Sequence, residues 1–261
     1  PGMTTLREDA LAALLACDVA AKIRLTRALD LARPVGAELP LAEPAGVPGR
    51  PALPRLVPHI ELKQRGVNTL EGRAQLLHSI AHIEFNAVNL ALDVAWRFPG
   101  MPDEFYVDWL RIAQEEALHF TLLRDHLAGL GFDYGAFDAH DALWEMAQRT
   151  AGDLLARIAL VPRTLEARGL DASPAVKRKL LGAGDTKAGE ILDIILRDEI
   201  GHVAAGNRWY RWLCTQRGLE PVATYAELAQ RFGAPRLRAP FNIEARRLAG
   251  FDDEELRALG A

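Results

Sequence analysis

Two tetrapeptides of one pattern, each set in the middle of a long helical tract, restrict the fold of this chain more than any other feature. Apolar residues recur at spacings of three and four from Leu70 to Phe98 and from Asp103 to Gly131. They recur again, with interruptions, from about Asp138 to Gly182, and then from Thr186 to Arg217. Glu116-Ala117-Leu118-His119 falls within the second tract and Glu199-Ile200-Gly201-His202 within the fourth. Helix residues three apart share a face, with Cβ atoms roughly 5–6 Å apart, so each tetrapeptide presents a carboxylate and an imidazole together. A single Glu-x-x-His is as readily a solvated surface. Two of them, 83 residues apart and each framed by apolar helix, point to metal ligation.

Dinuclear sites in four-helix bundles take Glu-x-x-His from two helices and one Glu from each of the other two. Pro99-Gly100 separates the first two tracts, and residues equally far from a tight turn lie level in an antiparallel pair. Glu84 and Glu116 each stand 16 residues from position 100. On the third tract the candidates are Asp138, Asp141, Glu145, Asp153 and Glu166. With the turn Gly182-Ala183-Gly184-Asp185 as the hinge near position 183, Glu166 lies 17 residues before it and Glu199 lies 16 after. Glu166 therefore matches in height, provided that the segment rises as one helix kinked at Pro162 and restarted at Ser173-Pro174. Glu84 is framed by Ile83, Phe85, Val88 and Leu90, and a buried carboxylate there needs a partner or a metal. The alternative is a polar stripe, with His78, His82, Glu84, Asn86 and Asn89 facing water.

These tracts predict an all-α fold, a ferritin-like four-helix bundle over residues 69–217. Residues 3–68 add an N-terminal helix, Leu6 to Leu31, and a Pro-rich strap with seven prolines between positions 34 and 58. Residues 218–261 add a tail with short helices near 225–232 and 252–259, packed on the bundle. No strand alternation, Ser-His-Asp arrangement or phosphate-binding glycine loop can be assembled, and Gly182-Ala183-Gly184 joins helix to helix.

The segments HIEFNAVNLALD, QEEALHF, VPRTLEARGLD and RDEIGHVAAGNRWYRWLC resemble an uncharacterised bacterial ferritin-like family, a domain of unknown function loosely related to rubrerythrins and tRNA hydroxylases. The resemblance covers roughly residues 51–214. It implies Glu84 and Glu166 as single-carboxylate ligands, Glu116 and Glu199 as bridging or chelating ligands, and His119 and His202 as one imidazole for each metal. It also implies that Asp198, and Glu115 at the equivalent place, orient a ligand histidine from behind, a role in which either residue could equally be a surface carboxylate.

Four carboxylates and two imidazoles form a hard donor set suited to two irons, or to a manganese and iron pair. The function expected of such a site is an oxygen-dependent oxidase or oxygenase, a hydroxylase of a small organic molecule or modified nucleobase, with no catalytic residues beyond the metal ligands. A rubrerythrin-like peroxidase or ferroxidase is the alternative, as is a non-catalytic helical metal-binding or interaction protein. Without Cys-x-x-Cys pairs for an electron-transfer iron centre, electrons would come from an external donor protein. The basic residues Arg157, Arg163, Arg168, Lys177, Arg178 and Lys179 either meet a phosphate or tRNA or, more simply, form a solvated helix face. Trp209, Tyr210 and Trp212 read as packing at helical spacing. A net charge of -4 argues against a globally basic nucleic-acid binder. Two isolated cysteines and the lack of a long apolar run suggest a cytoplasmic protein without a membrane anchor. A homodimer is compatible with the several faces that a bundle presents.

Overall fold

Side chains that the sequence supplies set most of the helix ends. Thr5 and Glu8 form a reciprocal capping box, Thr69 accepts from the Gly72 N–H, and Asp153 and Asp185 accept from the Ala156 and Ala188 N–H groups. The computed structural model describes residues 2–63 and 65–260, and these are all-α. Among the described residues there is no strand, only a bridge between Leu56 and Ala139. No helix among them is long and apolar enough to cross a membrane. The chain divides into two compact units, residues 1–141 and 142–261.

The first unit opens with α1 (Leu6–Leu15) and α2 (Val19–Arg27) where one helix to Leu31 was expected. The break has a local cause. The Leu14 carbonyl accepts from the Gly49 N–H at 2.8 Å and from Lys22 Nζ at 2.9 Å, Ala16 turns extended, and Asp18 caps α2 by accepting from the Ala21 N–H at 2.8 Å. Gly49 lies so close that a Cβ there would sit 2.2 Å from the Leu15 carbonyl oxygen. The strap is irregular, as expected, and is sewn down by Leu6 N–H to Pro34 O at 2.8 Å and by Val57 N–H to Ala139 O at 2.8 Å.

Two long helices follow, α3 (Leu70–Arg97) and α4 (Asp103–Gly129), packed along each other and joined by the Pro99-Gly100 turn, where Gly100 takes a φ of 90°. Helix α1 packs on α3, and α2 packs on α4. Buried Arg7 fastens this arrangement. It donates to the Ala95 carbonyl at 2.9 Å, to Gly36 at 2.9 Å, to Leu39 at 2.6 Å and to Trp96, binding the end of α3 to the start of the strap.

The second unit contains α5 (Ala142–Arg149), α6 (Leu154–Leu160), a π-helical turn at Val161–Glu166, α7 (Arg168–Gly182) and α8 (Thr186–Arg217). The expected restart at Ser173-Pro174 does not occur, because α7 runs through Gly169 and Pro174. Proline leaves the carbonyl four residues earlier without its helical donor. That carbonyl, Leu170 O, receives the Asn242 side-chain amide at 3.1 Å instead. The tail supplies α9 (Pro221–Arg231) and α11 (Asp253–Ala258) near the expected positions, and α10 (Ile243–Leu248), which Asn242 caps, within the expected loop. Val203 of α8 packs with Leu170, Ala245, Phe251 and Leu256.

The basic stretch is not one solvated face. Arg157 is buried, donating to Thr150 Oγ1 at 3.0 Å and to the Ala147 carbonyl at 2.5 Å. Arg163 is buried too, donating to Asn207 Oδ1 at 2.6 Å, paired with Glu255 and lying 4.2 Å over the Tyr210 ring. Arg168, Arg178 and Lys179 are exposed. Trp209 and Tyr210 are buried, with the Tyr210 hydroxyl donating to the Pro221 carbonyl at 2.6 Å.

Candidate metal centre

The level relation across the Pro99-Gly100 turn brings Glu84 of α3 to Glu116 and His119 of α4. One ligand atom from each of the three lies within 4.8 Å of the others, and all three side chains are buried. His119 Nδ1 stands 3.2 Å from Glu116 Oε2 and 3.4 Å from Glu84 Oε2. Phe85 and Phe120, each the residue after a ligand candidate, pack their rings 5.2 Å apart at a tilt of 53°.

Without a metal such a cluster must hold protons. Burial, and then the neighbouring Glu116 carboxylate, push the Glu84 carboxyl well above its usual range. Burial disfavours charge on His119, but hydrogen bonds to Glu116 and Glu84 outweigh it and raise the imidazole to about 11. Protons on the Glu84 carboxyl and on the His119 imidazole thus offset the charge that burial disfavours. A divalent ion would satisfy the same electrostatic demand with these oxygens and this nitrogen as ligands, so the residues fit a hard metal ion.

In the second unit α8 carries Glu199 and His202 at the same spacing, with His202 Nδ1 3.4 Å from Glu199 Oε2. His202 is buried and Glu199 half-buried. Glu166, also half-buried, closes the π turn that Pro162 occupies. A π turn carries more residues than an α turn, so it changes the face on which the following residues emerge. Thr164 Oγ1 of this turn donates back to the Ala159 carbonyl of α6 at 2.8 Å. Gly206 of α8 lets the turn approach, since a Cβ at 206 would meet Pro162 Cβ at 3.1 Å and Cγ at 3.3 Å. Asp198, half-buried, accepts from Arg197 Nε at 3.1 Å, and Glu115 is half-buried on α4.

The polar stripe on α3 does not face water. His78, His82, Asn86 and Asn89 are all buried. His82 Nδ1 meets the Tyr134 hydroxyl at 2.8 Å, its Nε2 meets the His140 carbonyl at 2.8 Å, and His78 Nε2 accepts from the Gly135 N–H at 2.9 Å. Asn89 Oδ1 accepts from Lys22 Nζ at 2.5 Å, which also donates to the Gly49 carbonyl at 2.6 Å. Burial lowers both His78 and His82 to about 4 and Lys22 to about 7. These residues brace the helix that carries Glu84. Their spacing of four (78, 82, 86) was visible in the sequence, but their partners in the strap and in the loop around Tyr134 were not.

A family model described as "Protein of unknown function (DUF455)" matches residues 15–257. An uncharacterized protein of Haemophilus influenzae is 50% identical over 213 residues, covering 79% of this chain and 74% of that protein. No solved structure matches.

Proposed function

The chain belongs to the DUF455 family, and from the residues of its candidate centre we propose that it is a ferritin-like, two-metal carboxylate oxidoreductase. In this reading Glu84, Glu116 and His119, together with Glu166, Glu199 and His202, hold two ions of iron, or one each of manganese and iron. The observation that carries it is the convergence of Glu84, Glu116 and His119 in a buried place. Burying two carboxylates and an imidazole at one point is costly in the metal-free chain, where protons on Glu84 and His119 must offset the charge, and a bound divalent ion would remove that cost.

Bound metal of this kind supplies electrons for chemistry with dioxygen, drawn from an external donor and directed at a small organic substrate. The chain's own part is position and shelter. Glu84 would lose its carboxyl proton and His119 its Nδ1 proton when a cation enters, so uptake would release protons and weaken as pH falls. Glu84, Glu116 and His119 are themselves buried, which keeps bulk water from the ligand atoms.

Metal content per chain, measured by plasma mass spectrometry on protein supplied with both iron and manganese, tests this. About two equivalents in the native chain, with loss in Glu116→Ala and in Glu199→Ala, are expected. If loaded, the reduced protein should consume dioxygen. Fewer than about half an equivalent after anaerobic reconstitution would overturn the metal reading and leave a helical interaction protein.

A further inference from the structure

The outer side of α4 carries a second feature, independent of the metal reading. A groove of about 1050 Å³ opens where α2 meets the C-terminal half of α4, at the upper end of the size range of small-molecule sites. Ile23, Phe120 and Phe132 give it apolar walls, and Arg24, Arg27 and Arg124 line it as well. Three arginines thus face two aspartates, Asp125 and Asp133, on a chain whose net charge is -4. Arg124 is already committed to Asp133, with bonds of 2.9 and 3.1 Å.

Arg24 and Arg27 are different. Both are exposed, and among the described residues neither guanidinium has a hydrogen bond or ion pair. Being three apart on α2, they stand on one face, within reach of one anionic group. Guanidinium forks suit carboxylate and phosphate oxygens. An apolar groove with unengaged guanidinium groups at its edge is complementary to an anionic head on an apolar body, whereas an apolar partner alone would leave the arginines unused.

We propose that this groove binds a small organic anion with an aliphatic or aromatic body, its carboxylate or phosphate held by Arg24 and Arg27 and its body laid against Ile23, Phe120 and Phe132. Phe120 directly follows His119, so an occupant would rest on the helix that carries two of the candidate ligands. Binding itself needs no metal.

The test is a fluorescence titration of the full chain, metal-free, with 8-anilinonaphthalene-1-sulfonate, followed by displacement with octanoate and with octanol. Saturable binding to the folded chain is expected, weakened at least about tenfold in Arg24→Gln/Arg27→Gln, the loss of roughly one charge-assisted contact. Ala28→Trp, which fills the groove while leaving both arginines in the chain, should weaken it similarly. Both variants should keep the native melting temperature, because the dye also binds partly unfolded states. Octanoate should displace the dye and octanol should not. Unchanged affinity in the two variants overturns the site, and equal displacement by octanol overturns the role of the arginines. A dimer that dissociates in the double variant would make the occupant a second copy of the chain and overturn the small-molecule reading.

Discussion

In the first unit α3 and α4 run unbroken for 28 and 27 residues, whereas in the second the segment before α8 breaks at 150–153 and passes through a π turn before reaching Glu166. The same Glu-x-x-His spacing thus sits in two settings. Around Glu116 and His119 the carboxylate and imidazole are buried and a second carboxylate is in reach, while Glu199 and Glu166 are half-buried. A tetrapeptide fixes which residues share a helix face. It does not fix how dry that face is.

The two units also secure their helices differently, and that difference can be broken. Arg163 is paired with a carboxylate, Glu255, which Arg211 also holds, so Arg163→Met leaves that anion with one arginine and the buried Asn207 Oδ1 without its donor, and should cost about 3 kcal/mol. Arg7 donates only to carbonyls, so Arg7→Met leaves no orphaned charge and should cost less, about 2 kcal/mol. Urea midpoints of the two variants check the order, and a reversed order would mean that Arg211 alone satisfies Glu255.

Acid should expose the first unit through His78. Its folded value, about 4, lies below the usual histidine value because of burial, and its Nε2 accepts a hydrogen bond that protonation would remove. The unfolded chain therefore takes up the proton first, so stability present above about pH 6.5 is lost as pH falls toward 4. The share of His78 is about 3 kcal/mol, and His82, lowered to about 4 as well, adds a like share over the same window. His78→Gln should flatten the stability profile over that window by its own share, and a parallel profile would refute the assignment.

Smaller changes probe the second unit. Gly206→Ala sets a methyl against Pro162 and should cost about 1 kcal/mol net of the roughly 1 kcal/mol that alanine gains over glycine in a helix, with a displaced π turn visible as altered amide exchange across 161–166. Asn242→Ala removes the donor to the Leu170 carbonyl and the cap of α10, and should lower stability by about 1 kcal/mol. No loss there would show that Pro174 is tolerated without that amide.

Much of the helical layout could be read from the chain. Thr5, Thr69 and Asp185 are caps with a short polar oxygen just before an apolar run, and the Pro99-Gly100 turn sets Glu84 level with Glu116. The break after α1 could not be read, because its cause lies in Gly49, 35 residues beyond the carbonyl it serves. Nor could the continuity of α7, which depends on an amide 72 residues from the carbonyl it satisfies.

Local periodicity, capping and turn chemistry act within a few residues, so the sequence by itself determined that the chain is helical, where most helices begin, and which Glu and His share a face. Burial and pairing are set by whatever the rest of the chain lays against a face. Only the tertiary structure decided that His78, His82, Arg157 and Arg163 lie buried, that Glu84, Glu116 and His119 share one desolvated place, and that Pro162 sits in a π turn. A polar side chain looks the same in the sequence whether its partner is water or a carbonyl delivered from far along the chain, and desolvation makes those two cases differ by several kcal/mol.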